Sequence, residues 1–226
     1  MTGRGKSAEG VGRVPVVSGA AVTVGLVIAN ATVFVSSFCI MVIELVAGRL
    51  IAKYLGSSLY TWTSIIGVVL AGIAIGNAVG GRLADRFGTD RRSARRLLAL
   101  LFILSAVISA GISWYNDVVG HMGLLLSLQS WPLRVASHIT LVFFPPSAML
   151  GLITPVVAKM ALDLGRKTGR TIGSIYAWGV VGSIIGTFMT GYYFVAAFRS
   201  TQIVFGVAAS LAVMAVLYGL SWLRRA

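Results

Sequence analysis

The sequence predicts an all-helical integral membrane protein, a bundle of six transmembrane helices. Three observations carry this. Of the 226 residues, 57% are hydrophobic and 11% charged, where a soluble domain carries about 25% charged residues. Six uncharged runs are long enough to cross a hydrocarbon core of about 30 Å, which takes about 20 residues of helix. The basic residues alternate between loops and leave 15 of the 19 Lys and Arg on one side.

The runs without Asp, Glu, Lys or Arg are Val14 to Ile43, Tyr54 to Gly81, Leu97 to Asn116, Val135 to Ala158, Thr171 to Phe198 and Ser200 to Leu223. They place spans at roughly 24–50, 58–82, 97–115, 136–159, 172–196 and 201–222. Val118 to Leu133 is uncharged too, but it is short and contains His121, Ser127, Gln129, Ser130 and Pro132. It reads as an interfacial or re-entrant helix, with a seventh span as the alternative. The first run is far longer than the roughly 7–15 apolar residues of a signal peptide, so it is expected to stay as a span. Residues 1–22 then form a basic tail and residues 23–226 one polytopic domain, with no separate soluble domain expected.

The charges set the orientation. Arg4, Lys6 and Arg13 precede span one. Arg82, Arg86, Arg91, Arg92, Arg95 and Arg96 lie between spans two and three. Lys159, Arg166, Lys167 and Arg170 lie between spans four and five, and Arg224 and Arg225 follow span six. Lys53, Arg134, Arg199 and Arg49 fall on the other side. By the positive-inside rule both termini are cytoplasmic, in the inner membrane. The net charge of +13 is therefore a topology signal. No basic stripe with interleaved aromatics exists outside the membrane, and no nucleic-acid partner is expected. The lone Cys39 excludes a disulfide scaffold. Two separated His and the lack of a metal-ligand spacing or nucleophile elbow predict no enzyme, no metal and no cofactor.

Within the spans, Gly72, Gly76 and Gly80 share one face of span two, and Gly182, Gly186 and Thr190 one face of span five. Small residues at this spacing let backbones approach closely, which predicts that both helices are central in the bundle. Span four holds Pro145, Pro146, Gly151 and Pro155. Proline removes a donor and crowds the preceding turn, so a helix break is expected there, either a mere kink or the interrupted helix of a solute site. Glu44 is the most informative residue, because a membrane-embedded carboxylate costs about 2.5–3.5 kcal/mol at the bilayer centre. It reads either as half of a structural ion pair, with Arg49, Lys53 or a base on another helix, or as a cation or proton site with Asn77 as a second polar group. His138 reads as a satisfied interfacial histidine. Tyr54, Tyr60, Trp62, Trp114, Tyr115, Trp131 and Trp222 sit at span ends as interfacial anchors. Ser58-Leu59-Tyr60-Thr61-Trp62 and Ser174-Ile175-Tyr176-Ala177-Trp178 each open the second helix of a three-helix half, the pattern of a 3+3 inverted repeat.

The stretch Gly80-Gly81-Arg82-Leu83-Ala84-Asp85-Arg86-Phe87-Gly88 resembles the loop between the second and third helices of major facilitator transporters, with Thr89-Asp90 intervening before Arg91-Arg92. Asp85 is expected to pair with a nearby Arg and to cap a helix start. Together with Gly81 and Arg86 it makes the loop motif. A longer stretch, Glu44 to Leu50, then Leu55 to Trp62, Gly67 and Gly80 to Arg86, resembles the membrane region of fused major-facilitator/spermidine-synthase-like proteins. Pro146, Gly151, Pro155, Gly173 to Ala177 and Gly182 to Thr187 extend it through residues 25–205. The resemblance implies half of a facilitator fold, usually followed by a cytoplasmic aminopropyltransferase domain. The polyamine chemistry of that domain is not expected of the residues present here.

Three functions follow. The first is a transporter-like or solute-binding protein for a cationic amine or polyamine, with Glu44 as counter-charge, Asn77 as hydrogen-bond partner and Tyr60 and Trp178 as cation–π walls. Six helices are half a facilitator, so this reading expects a homodimer. The second is a membrane anchor or regulatory subunit for a separately encoded synthase-like enzyme. The third is a structural subunit of a membrane complex.

Overall fold

The computed structural model describes residues 19–88, 90–122, 130–164 and 168–223. All the regular structure among them is helical: α1 (Gly19–Leu55), α2 (Leu59–Phe87), α3 (Arg91–Gly120), α4 (Trp131–Gly151), α5 (Ile153–Leu162), α6 (Thr168–Phe188), a π-helical turn (Met189–Phe194), α7 (Val195–Ala197) and α8 (Ser200–Leu223). Six stretches are long and apolar enough to cross a membrane, α4 with α5 and α6 through α7 each counting as one. The protein is a polytopic membrane protein.

Local chemistry sets the ends. Gly56, at φ 67°, stops α1 in the left-handed conformation that glycine adopts without strain, and its N–H donates to the Ala52 carbonyl at 3.1 Å. Two residues on, the Ser58 hydroxyl accepts from the Thr61 N–H at 3.2 Å and caps α2. Pro132 stands in the first turn of α4, where its missing donor costs nothing. The helices overrun the predicted spans, α1 by about a turn at each end, because backbone hydrogen bonding continues past the apolar residues. Val118–Gly120 belong to α3 and Trp131–Leu133 to α4. The stretch 121–130 between them is too short to cross as a helix, which removes the seventh span. Whether a re-entrant turn forms there rests on 123–129, outside the described residues.

Of the residues expected to break span four, two do not. Pro145 and Pro146 lie inside continuous α4. The interruption is at Leu152, between α4 and α5. Pro155 explains it: its ring crowds the carbonyl four residues back, that of Gly151, and it offers no N–H to that carbonyl.

Three intimate pairings build the bundle: α1 on α6, α2 on α4, and α3 on α8. The first two are glycine seams. A Cβ on Gly72 would lie 2.8 Å from Ser147 Cβ and 3.2 Å from the Phe144 carbonyl oxygen, and one on Gly76 would strike the Ala148 carbonyl oxygen. In the other seam a Cβ on Gly182 would strike the Phe34 carbonyl oxygen, and one on Gly186 would lie 2.8 Å from that of Phe38. The third pairing stacks Phe102 on Tyr218, ring centroids 5.9 Å apart.

These seams are one structure used twice. A shift of 110 positions carries the buried row of α2, Thr61, Ile65, Val69, Gly72, Gly76 and Gly80, onto Thr171, Ile175, Gly179, Gly182, Gly186 and Thr190. The same shift carries their partners Phe34 and Phe38 onto Phe144 and Ala148. Consecutive spans alternate in direction, so the second unit runs in the opposite sense to the first, an inverted repeat. The pentapeptide match that predicted a repeat is 116 positions apart and out of step with this. It would place buried Thr61 and Ile65 on exposed Ala177 and Val181. Tyr60, Trp62, Tyr176 and Trp178 all stand on the exposed side of their helices, outside the buried rows that repeat.

Spans two and five are not central. Only 28% and 22% of their apolar windows are buried, against 56% for the fourth span. Each buries its glycine row and presents large apolar side chains such as Leu70, Ile75, Val180 and Tyr192 outward. A glycine row makes a narrow, close contact and does not enclose the helix that carries it. The centre belongs to the first and fourth spans, with fully buried Ile51, Phe143, Leu150 and Ile153.

Candidate functional site

Glu44 lies on the stripe of α1 that also carries Met41 and Gly48, three and four residues away. Met41 Cβ is 3.3 Å from where a Cβ on Gly186 of α6 would be, and a Cβ on Gly48 would lie 2.8 Å from the Trp62 ring of α2. Glu44 is thus placed where the first span meets both the second and the fifth. It is half-buried and makes no hydrogen bond or ion pair with a described residue. The two bases of α1 considered for an ion pair are engaged elsewhere. Arg49 Nη1 donates to the Val195 carbonyl at 2.6 Å, and Lys53 Nζ pairs with Asp117 at 3.3 Å.

The other predicted solute contacts are not gathered around Glu44. Tyr60 stands at the start of α2 and is 58% exposed. Asn77 is exposed on α2, next to the buried Gly76. Trp178 packs edge-on against Phe34, centroids 6.3 Å apart, nearly three helical turns along α1 from Glu44.

In the loop motif, Asp85 accepts from Lys159 at 3.4 Å, a lysine where an arginine was expected. It sits in the last turns of α2 and caps no helix start; Asp90 occupies that place before α3, without a side-chain cap bond. Arg86 lies over the Phe87 ring at 5.7 Å, and Gly81 faces open space. Asp85, Gly88, Asp90, Arg91, Lys159 and Asp163 line a pocket at this end of the bundle.

A polar cluster at the opposite end was not foreseen. Asp117 of α3 accepts from Tyr54 Oη at 2.7 Å and from Lys53 Nζ at 3.3 Å. Tyr54 lies between two imidazoles, His121 at 5.5 Å and His138 at 5.9 Å. Gly120 permits this, since a Cβ there would lie 2.6 Å from the Tyr54 ring. His138 is buried within the bundle, 2% exposed. Its Nε2 is 3.0 Å from Asn116 Oδ1, and Asn116 Nδ2 donates to the Leu50 carbonyl at 3.3 Å. The sequence signal was present in the consecutive polar pair Asn116-Asp117 near the end of an apolar span. Tyr54, taken as an anchor, is a member of this cluster, whereas Tyr60, Trp62, Trp114 and Trp131 are exposed near helix ends as anchors should be. The Trp222 side chain lies outside the described residues. No group of three or more His, Cys, Asp or Glu able to hold a metal occurs among the described residues.

Comparison with known proteins gives a partial likeness. The chain is 28% identical over 153 residues to polyamine aminopropyltransferase 2 of Ralstonia nicotianae, a match covering 67% of this chain and 27% of that protein. Polyamine aminopropyltransferase 1 of the same organism matches equally, with 26% of its length covered. The chain therefore spans about a quarter of the curated relatives it matches. No family model matches, and no solved structure matches.

Proposed function

We propose that the chain is a transporter-like, solute-binding membrane module for a cationic amine, with Glu44 as the counter-charge. The observation that carries this reading is the half-buried carboxylate of Glu44, which no described base neutralises. A charge within a membrane span marks a solute or ion path by default, and a protonated amine is its complement. Relatives named for polyamine chemistry support the choice of amine. Asn77, Tyr60 and Trp178 enter the site through a second copy of the chain, because within one copy they lie apart on exposed faces. The module does no bond-making chemistry of its own. Spermidine binding to the protein in lipid nanodiscs tests the reading. Wild type and Glu44→Asp are expected to bind, and Glu44→Gln to lose at least tenfold in affinity; equal binding by wild type and Glu44→Gln would reject the assignment.

The second reading, a membrane anchor or regulatory unit for an aminopropyltransferase, is favoured by the names of those relatives. It predicts that an aminopropyltransferase co-purifies stoichiometrically from native membranes, and that Glu44→Gln leaves this association unchanged.

A further inference from the structure

Asn116 fixes the proton on His138. Its Nδ2 donates to the Leu50 carbonyl at 3.3 Å, which leaves the amide oxygen for His138 Nε2, 3.0 Å away. An amide oxygen only accepts, so Nε2 carries the hydrogen and Nδ1 the lone pair. The contact is a joint between three helices, since Leu50 belongs to α1, Asn116 to α3 and His138 to α4. One turn further along α1, Tyr54 donates to Asp117 of α3 at 2.7 Å and lays its ring beside His138, centroids 5.9 Å apart. In the repeat α1 belongs to one unit and α4 to the other, so the joint fastens the two units at this end of the bundle.

A second proton, on Nδ1, would turn His138 into a cation at a site that is 2% exposed. The charges nearby do not offset it. On its own helix, Arg134 stands four residues away on the same face. From α1 come Lys53 and the neutral Tyr54. From α3 come His121 and Asp117, and Asp117 Oδ1 already accepts from both Tyr54 and Lys53. The other helix packed on α4 is α2, whose first charged residue is Arg82, near its far end. Glu44 lies about 15 Å along α1 from Tyr54. Fixed cations thus outnumber carboxylates around the ring. A buried charge without a partner is strongly disfavoured, whereas an imidazole in water accepts a proton below about pH 6.5. Protonation therefore favours a state in which His138 has come out into water.

We infer that His138, Asn116 and Tyr54 form an acid-sensitive clasp, which holds α1, α3 and α4 together at this end while His138 is neutral and releases them when it is protonated. The closed state is favoured in full above about pH 6.5. Below that it loses ground by up to about tenfold per pH unit, because opening takes up one proton. The clasp uses neither Glu44 nor a second copy, so it stands apart from the amine reading.

Thiol trapping of the protein in nanodiscs tests it. In a Cys39→Ala background, Val119→Cys puts a thiol at a fully buried position of α3 at this end, and Ser57→Cys puts one at an exposed position. A dipyridyl disulfide reacts with thiols at acid and neutral pH alike, and the ratio of the two labelling rates measures how often the buried thiol is uncovered. From about pH 8 to about pH 5 the ratio is expected to rise about thirtyfold. His138→Gln keeps an N–H for Asn116 but takes up no proton, and is expected to hold the ratio within about twofold. His121→Gln is expected to rise as the wild type does. A ratio that stays flat with pH in the wild type, that rises equally in His138→Gln, or that stops rising in His121→Gln overturns the clasp. The wild-type and His121→Gln results decide the matter even where His138→Gln fails to fold.

Discussion

Arg49 donates to the carbonyl of Val195 at 2.6 Å, and Lys159, the residue 110 positions after Arg49, pairs with Asp85, the residue 110 positions before Val195, at 3.4 Å. One cation from the first helix of each repeat unit thus ties down the end of the second helix of the other unit. The two ties lie at opposite ends of the bundle. They use different acceptors, a backbone carbonyl in one case and a carboxylate in the other, so the geometry of the tie is kept where its chemistry is not. Asp85 and Lys159 are 77% and 40% exposed at their side chains, and exposed pairs contribute little. Asp85→Asn is expected to lower stability by less than about 1 kcal/mol, as read from thermal unfolding in detergent.

The glycine seams should respond far more strongly. At Gly76 and Gly182 an added methyl meets backbone oxygen of the partner helix, which no rotamer change relieves. Gly76→Ala and Gly182→Ala are each expected to cost about 1–3 kcal/mol, the range for overpacking a well-filled interior. Gly67 and Gly81 are the controls, with nothing near their would-be Cβ atoms. Alanine there is expected to be neutral or to stabilise by up to about 1 kcal/mol through helix propensity. Equal effects at all four positions would remove the seams from the account.

The buried Asn116–His138 contact should be a stability determinant. Asn116→Ala removes the partner of His138 Nε2, while the Leu50 carbonyl, inside α1, keeps its helical bond. A buried group left unpaired costs about 1–3 kcal/mol, so a clear fall in melting temperature is expected. Tyr218→Phe, which removes the 2.6 Å contact to the Thr32 hydroxyl, is expected to cost less, about 0.6 kcal/mol, because Thr32 keeps its bond to the Ile28 carbonyl.

Glu44 makes an opposite prediction. A carboxylate held in an ion pair is destabilised by neutralisation, since its partner is stranded. Glu44 has no such partner among the described residues, so Glu44→Gln is expected to unfold at the same temperature as wild type or higher. A large fall would restore the ion pair.

The spans were legible in the sequence because apolar length and the placement of charge are strong, additive signals. The closeness of the seams was legible too, since Gly72, Gly76 and Gly80 recur at helical spacing. Their position in the bundle was not: a glycine row reports how near one neighbour comes, and says nothing of what covers the other faces of the helix. The repeat was sensed at Tyr60–Trp62 and Tyr176–Trp178, yet its true register is carried by Thr61, Ile65, Gly72 and Gly76, which form the buried row of their helix. Tyr54, Asp117 and His138 could not be joined from sequence, because they come from three helices that meet only after packing. The break in span four was legible in Gly151 and Pro155, which flank Leu152; what the sequence did not show is that Pro145 and Pro146 stay within a continuous helix.

The two ties offer the most direct test of the six-span inverted repeat. Cysteine pairs at Arg49 and Val195, and at Asp85 and Lys159, are placed in a Cys39→Ala background and reconstituted in sealed vesicles of uniform orientation. Each pair is expected to form an intramolecular cross-link, and a membrane-impermeant thiol reagent added outside should block one pair and leave the other able to close. Cross-links that fail in both pairs, or that the reagent blocks on both together, would contradict the fold described here.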